Sequence, residues 1–310
     1  MNGVIIVDKP AGITSHDVVD RVRKLLGIRK AGHTGTLDPM ATGVLAVCVG
    51  EATKIASFLT GEDKVYEATM RLGVRTDTQD MTGRVLAEQE PRVTEADVKA
   101  VLADFVGTIT QVPPQYSAVK VRGKALYQWA RKGVNVEPAA RQVEIREIRV
   151  GTIELPRVSF AVTCSKGTYV RTLCADAGDR LGCGAALERL RRTVSGIFRE
   201  ENAVSLGGES DAEIRARLQR ALIPTRQALP GVPDVLIPPS LEQRVMKGHQ
   251  PDAEGLAGLQ IASLAAGDVV KFVSETGRLV ALARMLVQTE DIPSLDPFSR
   301  AACILRVFNE

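Results

Sequence analysis

The run Gly32-His33-Thr34-Gly35-Thr36-Leu37-Asp38-Pro39-Met40-Ala41-Thr42-Gly43 places a single carboxylate, Asp38, among small and turn-forming residues. A carboxylate can add covalently to a substrate or take a proton from it. No second acid lies within the run, so it does not offer the paired carboxylates of a glycoside-cleaving site. Pro39 steers Asp38 out of the helical region, while Gly32, Gly35 and Gly43 let the backbone turn sharply or approach a ligand. On its own, an Asp-Pro pair in a loop is more often a turn residue that bonds its own backbone. The rest of the chain reverses that balance.

Taken in chain order, five segments resemble the pseudouridine synthases of the TruB type. These are Gly3-Val4-Ile5-Ile6-Val7-Asp8-Lys9-Pro10-Ala11-Gly12-Ile13-Thr14-Ser15, the Asp38 run, Lys64-Val65-Tyr66, Cys164-Ser165-Lys166-Gly167-Thr168-Tyr169-Val170-Arg171-Thr172-Leu173, and Leu190-Arg191-Arg192-Thr193 with Ser195-Gly196-Ile197-Phe198. They span roughly the first 230 residues. The resemblance implies isomerisation of uridine 55 in the TΨC arm of tRNA. In that reaction the N1–C1′ bond breaks, the uracil turns, and C5 joins C1′, without metal or cofactor.

By the same resemblance Asp38 is the nucleophile or base, and Arg171 is the partner that keeps it ionised and oriented. Tyr66 stacks on the flipped uracil, returning part of the cost of pulling the base from its stack. Tyr169 and Leu190 line the uracil pocket. His33 enters the space left by the flipped nucleotide, and Lys9 supports the wall of the site or contacts a phosphate. Without the resemblance, Tyr66 reads as a half-buried strand tyrosine, Arg171 as a solvated helix residue, and His33 as a loop histidine.

The elements that must position these groups follow from apolar spacing. Val4–Val7 and Val44–Val49 read as buried strands, and Tyr66–Leu72 alternates like a strand, with Gly83 in the turn to another near Val85. Thr14 or Ser15 caps a helix carrying Val18, Val19, Val22, Leu25 and Leu26, which Gly27 stops. Helices are also expected over Ala52–Leu59, from a Thr94 cap through Phe105, over Ala125–Arg131, and over Tyr169–Leu181. Val143–Ile153 and Val158–Cys164 read as an antiparallel pair.

The fold class expected is α+β: a mixed, mainly antiparallel sheet of the pseudouridine synthase type with peripheral helices. A small C-terminal PUA-like β-barrel follows. Prolines from Pro224 to Pro239 mark a linker, giving a catalytic domain at 1–232 and an RNA-binding domain at 233–310. Between about 114 and 141, Tyr116, Lys120, Arg122, Lys124, Tyr127, Trp129, Arg131 and Lys132 interleave basic and aromatic side chains. This suits a flexible insertion that grips RNA and orders on binding.

Composition narrows the classes without choosing among them. The chain has 310 residues, 45% of them hydrophobic, and a net charge of +3, so only local clusters of arginine point to nucleic acid. Its five cysteines form no Cys-x-x-Cys pair, and are expected to be reduced core residues of a cytoplasmic protein. Asp8 and Lys9 interrupt the N-terminus too early for a signal peptide, and no apolar run reaches membrane-spanning length. The partner expected is a tRNA T-arm stem-loop, bound by a monomer. Two other readings stand beside this one: a synthase guided by RNA within a ribonucleoprotein, and a non-catalytic tRNA-binding protein or chaperone. The basic-aromatic insertion favours the stand-alone enzyme over the first, and an intact Asp38, Tyr66 and Arg171 disfavours the second.

Overall fold

The computed structural model describes residues 1–208 and 210–309. An eleven-stranded sheet forms its centre. Its main path runs Val204–Ser205, Gly3–Lys9, Thr42–Val49, Ala185–Ser195, Lys64–Leu72, Arg157–Cys164, Arg141–Glu154 and Gly107–Gln111. Pairing is antiparallel along this path except where Gly3–Lys9 meets Val204–Ser205 and where Ala185–Ser195 meets Thr42–Val49. The expected mixed, mainly antiparallel sheet is therefore present.

Gly3–Lys9 and Thr42–Val49 read as near-continuous apolar runs because both of their faces are covered. Ile5 and Val7 face the helix Ser15–Leu26, whereas Val4 and Ile6 share a core with Leu279, Leu282 and Phe308 from the C-terminal part. The helix begins with a capping box: the Thr14 N–H donates to Asp17 at 2.8 Å and the Asp17 N–H donates back to Thr14 Oγ1 at 3.1 Å. It ends at Gly27 in the left-handed region, φ 66°. The largest core lies under Lys64–Leu72, Arg157–Cys164 and the helix Val170–Arg180.

Several elements depart from the sequence reading. The stretch before Leu59 is a 3-10 turn, Gly50–Ile55, continued by a single α turn, Ala56–Leu59. The helix after Thr94 stops at Ala103, short of Phe105. Val85–Glu88 pairs with Val74–Thr76 and not with Lys64–Leu72. The strand Ala185–Ser195, fourth along the main path of the sheet, has no alternating pattern to announce it: Glu188, Arg189, Arg191 and Arg192 fill its middle.

Beyond the linker, Asp234–Ile237, Val269–Ser274, Leu279–Met285 and Ala302–Val307 form a four-stranded sheet in that order. Its two edge strands do not pair among the described residues, so the closed barrel expected from sequence is corrected to an open sheet. Four cysteines are buried and unbonded, but Cys303 is exposed, against the expectation of a core residue. Among the described residues no helix is long and apolar enough to cross a membrane.

Candidate active site

Two strands and a helix N-terminus converge on a pocket of about 240 Å³ lined by Asp38, Tyr66, Tyr169, Arg171, Leu190 and Arg192, among others. That is smaller than the roughly 300–1,000 Å³ of pockets for drug-sized ligands, and suits one flat ring. Asp38 reaches it from the loop between His33 and Thr42, which is pinned at several points. Ser15 Oγ accepts from the Leu37 N–H at 2.8 Å and donates to the Leu37 carbonyl at 3.0 Å. Lys9 Nζ, wholly buried, donates to the carbonyls of Pro10, Pro39 and Ala41 at 2.9, 3.2 and 2.8 Å. Lys9 thus braces the Asp38 loop from behind and does not line the pocket.

Arg171 enters on the first turn of Val170–Arg180, only 3% exposed, and meets Asp38, whose side chain keeps 30% exposure. Nη2 donates to Oδ1 at 2.9 Å; Nε lies 2.8 Å from Oδ2, but its N–H is not aligned with it. The pair is therefore one aligned charge-assisted hydrogen bond plus a close charge contact. Two backbone carbonyls fix the rest of the guanidinium: Thr78 at 3.0 Å and Tyr116 at 2.8 Å. Burial pushes the Asp38 carboxyl above the usual carboxylate range; Arg171 opposes this, and Asp80 adds to it. The partner expected from sequence is in place, yet burial outweighs it.

Asp80 was not foreseen. It is buried, its Oδ1 accepts from Thr78 Oγ1 at 2.8 Å and from the Thr82 N–H at 3.0 Å, and its Oδ2 sits 3.8 Å from Arg171 Nη1. The Thr- and Asp-rich run from Thr76 to Thr82 was the available signal. Gln111, also missed, clamps the start of the Arg171 helix. Its side chain accepts from the Tyr169 N–H at 3.0 Å and donates to the Tyr169 carbonyl at 3.2 Å. Ser117 lines the pocket with its hydroxyl buried and unpartnered.

The insertion also contributes to the wall. Tyr116 holds Arg171 through its carbonyl, and Ser117 and Ala118 line the pocket. Beyond them, Lys120–Val121 and Lys124–Ala125 form a hairpin leading into the helix Leu126–Ala130. Trp129 Nε1 donates to the Val121 carbonyl at 3.2 Å, and Lys124 lies over the Trp129 ring. The segment is thus a hairpin and a short helix tied together through Trp129.

Tyr66 and Leu190 face the pocket from adjacent strands, both largely buried. Burial raises the Tyr66 phenol above its ordinary value, opposed by Arg192. His33 stands apart: it ends the short strand Ala31–His33, is half-buried, and does not line the pocket. Its Nδ1 has no partner, and burial, with Arg192 next, lowers its pKa and so disfavours the charged ring.

Comparison with known proteins identifies the family of the chain. Residues 23–170 match the model for the TruB family pseudouridylate synthase N-terminal domain, and residues 171–230 match the tRNA pseudouridylate synthase B C-terminal domain. A tRNA pseudouridine synthase B of Syntrophus aciditrophicus is 48% identical over 100% of this chain and 99% of its own. That of Burkholderia pseudomallei (strain 668) is 46% identical over 92% of this chain and 93% of its own. Among solved structures, a chain of a Cbf5-Nop10-Gar1 complex is 31% identical, covers 98% of this chain and 84% of its own, and superposes with a TM-score of 0.71. With family models over most of its length and such relatives across the whole of it, the chain belongs to the TruB family of pseudouridylate synthases.

Proposed function

We propose that this chain is a stand-alone tRNA pseudouridine synthase that isomerises uridine 55 of the T-arm, with Asp38 as its reacting carboxylate. The observation that carries the reading is the Asp38–Arg171 pair in the wall of a pocket sized for one base and flanked by Tyr66, Tyr169 and Leu190. The full-length relatives named tRNA pseudouridine synthase B support tRNA as the substrate.

The uridine leaves the RNA stack and enters the pocket, where Tyr66 and Tyr169 offer ring faces that recover part of the unstacking cost. Asp38, ionised and aimed by Arg171, acts at the ribose or the base as the N1–C1′ bond breaks. The freed uracil turns within the walls set by Leu190 and Tyr66, and C5 bonds to C1′. The C5–H bond then breaks, its electron pair restores the ring double bond, the proton leaves to solvent, and N1 takes up a proton. Lys9 and Ser15 keep the Asp38 loop from relaxing as charge moves, because both bond the loop's own backbone. His33, off the pocket, is assigned to the space beside the displaced nucleotide.

We assign residues 1–232 to catalysis, with the segment near 114–141 over the T-arm, and 233–310 to RNA contact. A monomer acting in the cytoplasm fits this reading. Carbodiimide mapping of an unmodified tRNA transcript after incubation with the protein tests it. One new stop at position 55, absent when that uridine is replaced by cytidine, is expected. Modification only in the presence of a guide RNA, or none with tight binding, would overturn the stand-alone reading.

A further inference from the structure

Arg192 lies in a segment whose sequence gives it no role, and it is 2% exposed. It sits directly across from Tyr66 in the antiparallel pairing of Ala185–Ser195 with Lys64–Leu72. Directly opposed residues share a sheet face with their Cβ atoms about 5 Å apart. Register shifts occur on either side of this position, between Leu187 and Arg189 and between Arg192 and Val194. Such bulges re-aim side chains next to functional sites, and here they leave Leu190 and Arg192 together on the pocket face.

Two of the three guanidinium nitrogens are committed: Nε donates to the Val44 carbonyl at 2.7 Å and Nη2 to the Gly35 carbonyl at 3.1 Å. The third nitrogen, Nη1, remains for the pocket face, and the Arg192 charge opposes the upward push of burial on the Tyr66 phenol in the same wall. Gly43 permits this arrangement: a Cβ there would lie 2.2 Å from the Arg192 carbonyl oxygen.

We propose that Arg192 is a positioning residue for Tyr66, held rigid by Val44 and Gly35 so that its remaining edge keeps the Tyr66 ring and hydroxyl in one orientation against the uracil during the isomerisation. This rests on the reading above, in which Tyr66 touches the uracil. A guanidinium suits the task because its planar fork can serve two backbone acceptors and a third partner at once, which an ammonium cannot do in one geometry.

The test is a double-mutant cycle on single-turnover tritium release from a C5-labelled tRNA transcript, using Arg192→Lys, Arg192→Gln and Tyr66→Phe, with filter binding of the same tRNA in parallel. Arg192→Lys and Arg192→Gln are each expected to slow release roughly tenfold or more beside Tyr66, but by no more than about threefold in the Tyr66→Phe background. Binding is expected to change little, so the loss falls on kcat and not on KM. Multiplicative effects would overturn the proposal, as would failure of both Arg192 variants to fold, which would leave Arg192 a core brace. An inactive wild type would instead remove the underlying assignment, and the proposal with it.

Discussion

At the scale of single residues, the site works by opposing burial with charge. Asp38 is raised by burial and held down by Arg171, so its ionised fraction disappears as pH falls through a value above the usual carboxylate range. The acid limb of kcat/KM is therefore expected to lie higher than for an exposed aspartate. In Arg171→Lys, which cannot keep the fork on Asp38, Thr78 and Tyr116 together, that limb moves higher still and the plateau falls on the order of 100-fold. An unmoved limb would contradict the pairing. Lys9 gives a second, opposite signature. Its pKa falls from 10.5 to about 8, chiefly through burial. Between those values the unfolded chain binds more protons than the folded one, so unfolding free energy rises with pH across that window. Urea titrations at stepped pH should show wild type gaining on Lys9→Met from pH 8 toward 10.5; a flat difference would refute it. Asp38 and Arg171 were legible because their motifs name them. Asp80, Gln111 and Ser117 were not, since their roles arise from contacts with residues 58 and 91 positions away or from a missing partner.

At the scale of elements, what could be read was what apolar spacing encodes. Gly3–Lys9, Ser15–Leu26 and Thr42–Val49 bury continuous faces, and their limits were visible within a residue or two. Ala185–Ser195 was invisible because its charges are neutralised by tertiary partners and not by water: Arg191 pairs with Asp8 and Glu200, and Arg192 spends its donors on carbonyls. The parallel contact of this strand with Thr42–Val49 is so close that only a glycine fits at position 43, where φ is +98°. Gly43→Ala should destabilise the fold by about 1–3 kcal/mol and lower activity together, because both the backbone strain and the displaced Arg192 backbone act on the pocket. Equal urea midpoints for the two proteins would show that the strands can part at no cost.

At the scale of the molecule, the C-terminal sheet is not an appendage. Leu279, Leu282 and Phe308 pack in one core with Val4, Ile6 and Val44, and Lys54 Nζ donates to the Val307 carbonyl at 2.6 Å. Residues 1–232 alone should therefore melt well below the full chain and bind apolar dyes, and a truncation of equal stability would contradict the shared core. For the same reason, deletion cannot isolate an RNA-binding role for the sheet. Surface charge can: Arg284 and Arg306 are exposed on adjacent strands. If they contact phosphate, each change to Gln should reduce the slope of log affinity against log salt by about 1. An unchanged slope would assign the sheet to packing.

The central claim is that Asp38 carries out the isomerisation, and tritium release tests it most directly, because making pseudouridine expels the C5 hydrogen. Wild type and Asp38→Asn would be incubated with an unmodified tRNA transcript labelled at uracil C5, after confirming equal melting temperatures and tRNA affinities. The account predicts release approaching one equivalent per tRNA for wild type and none above background for Asp38→Asn. Release by Asp38→Asn at a rate near that of wild type would contradict it.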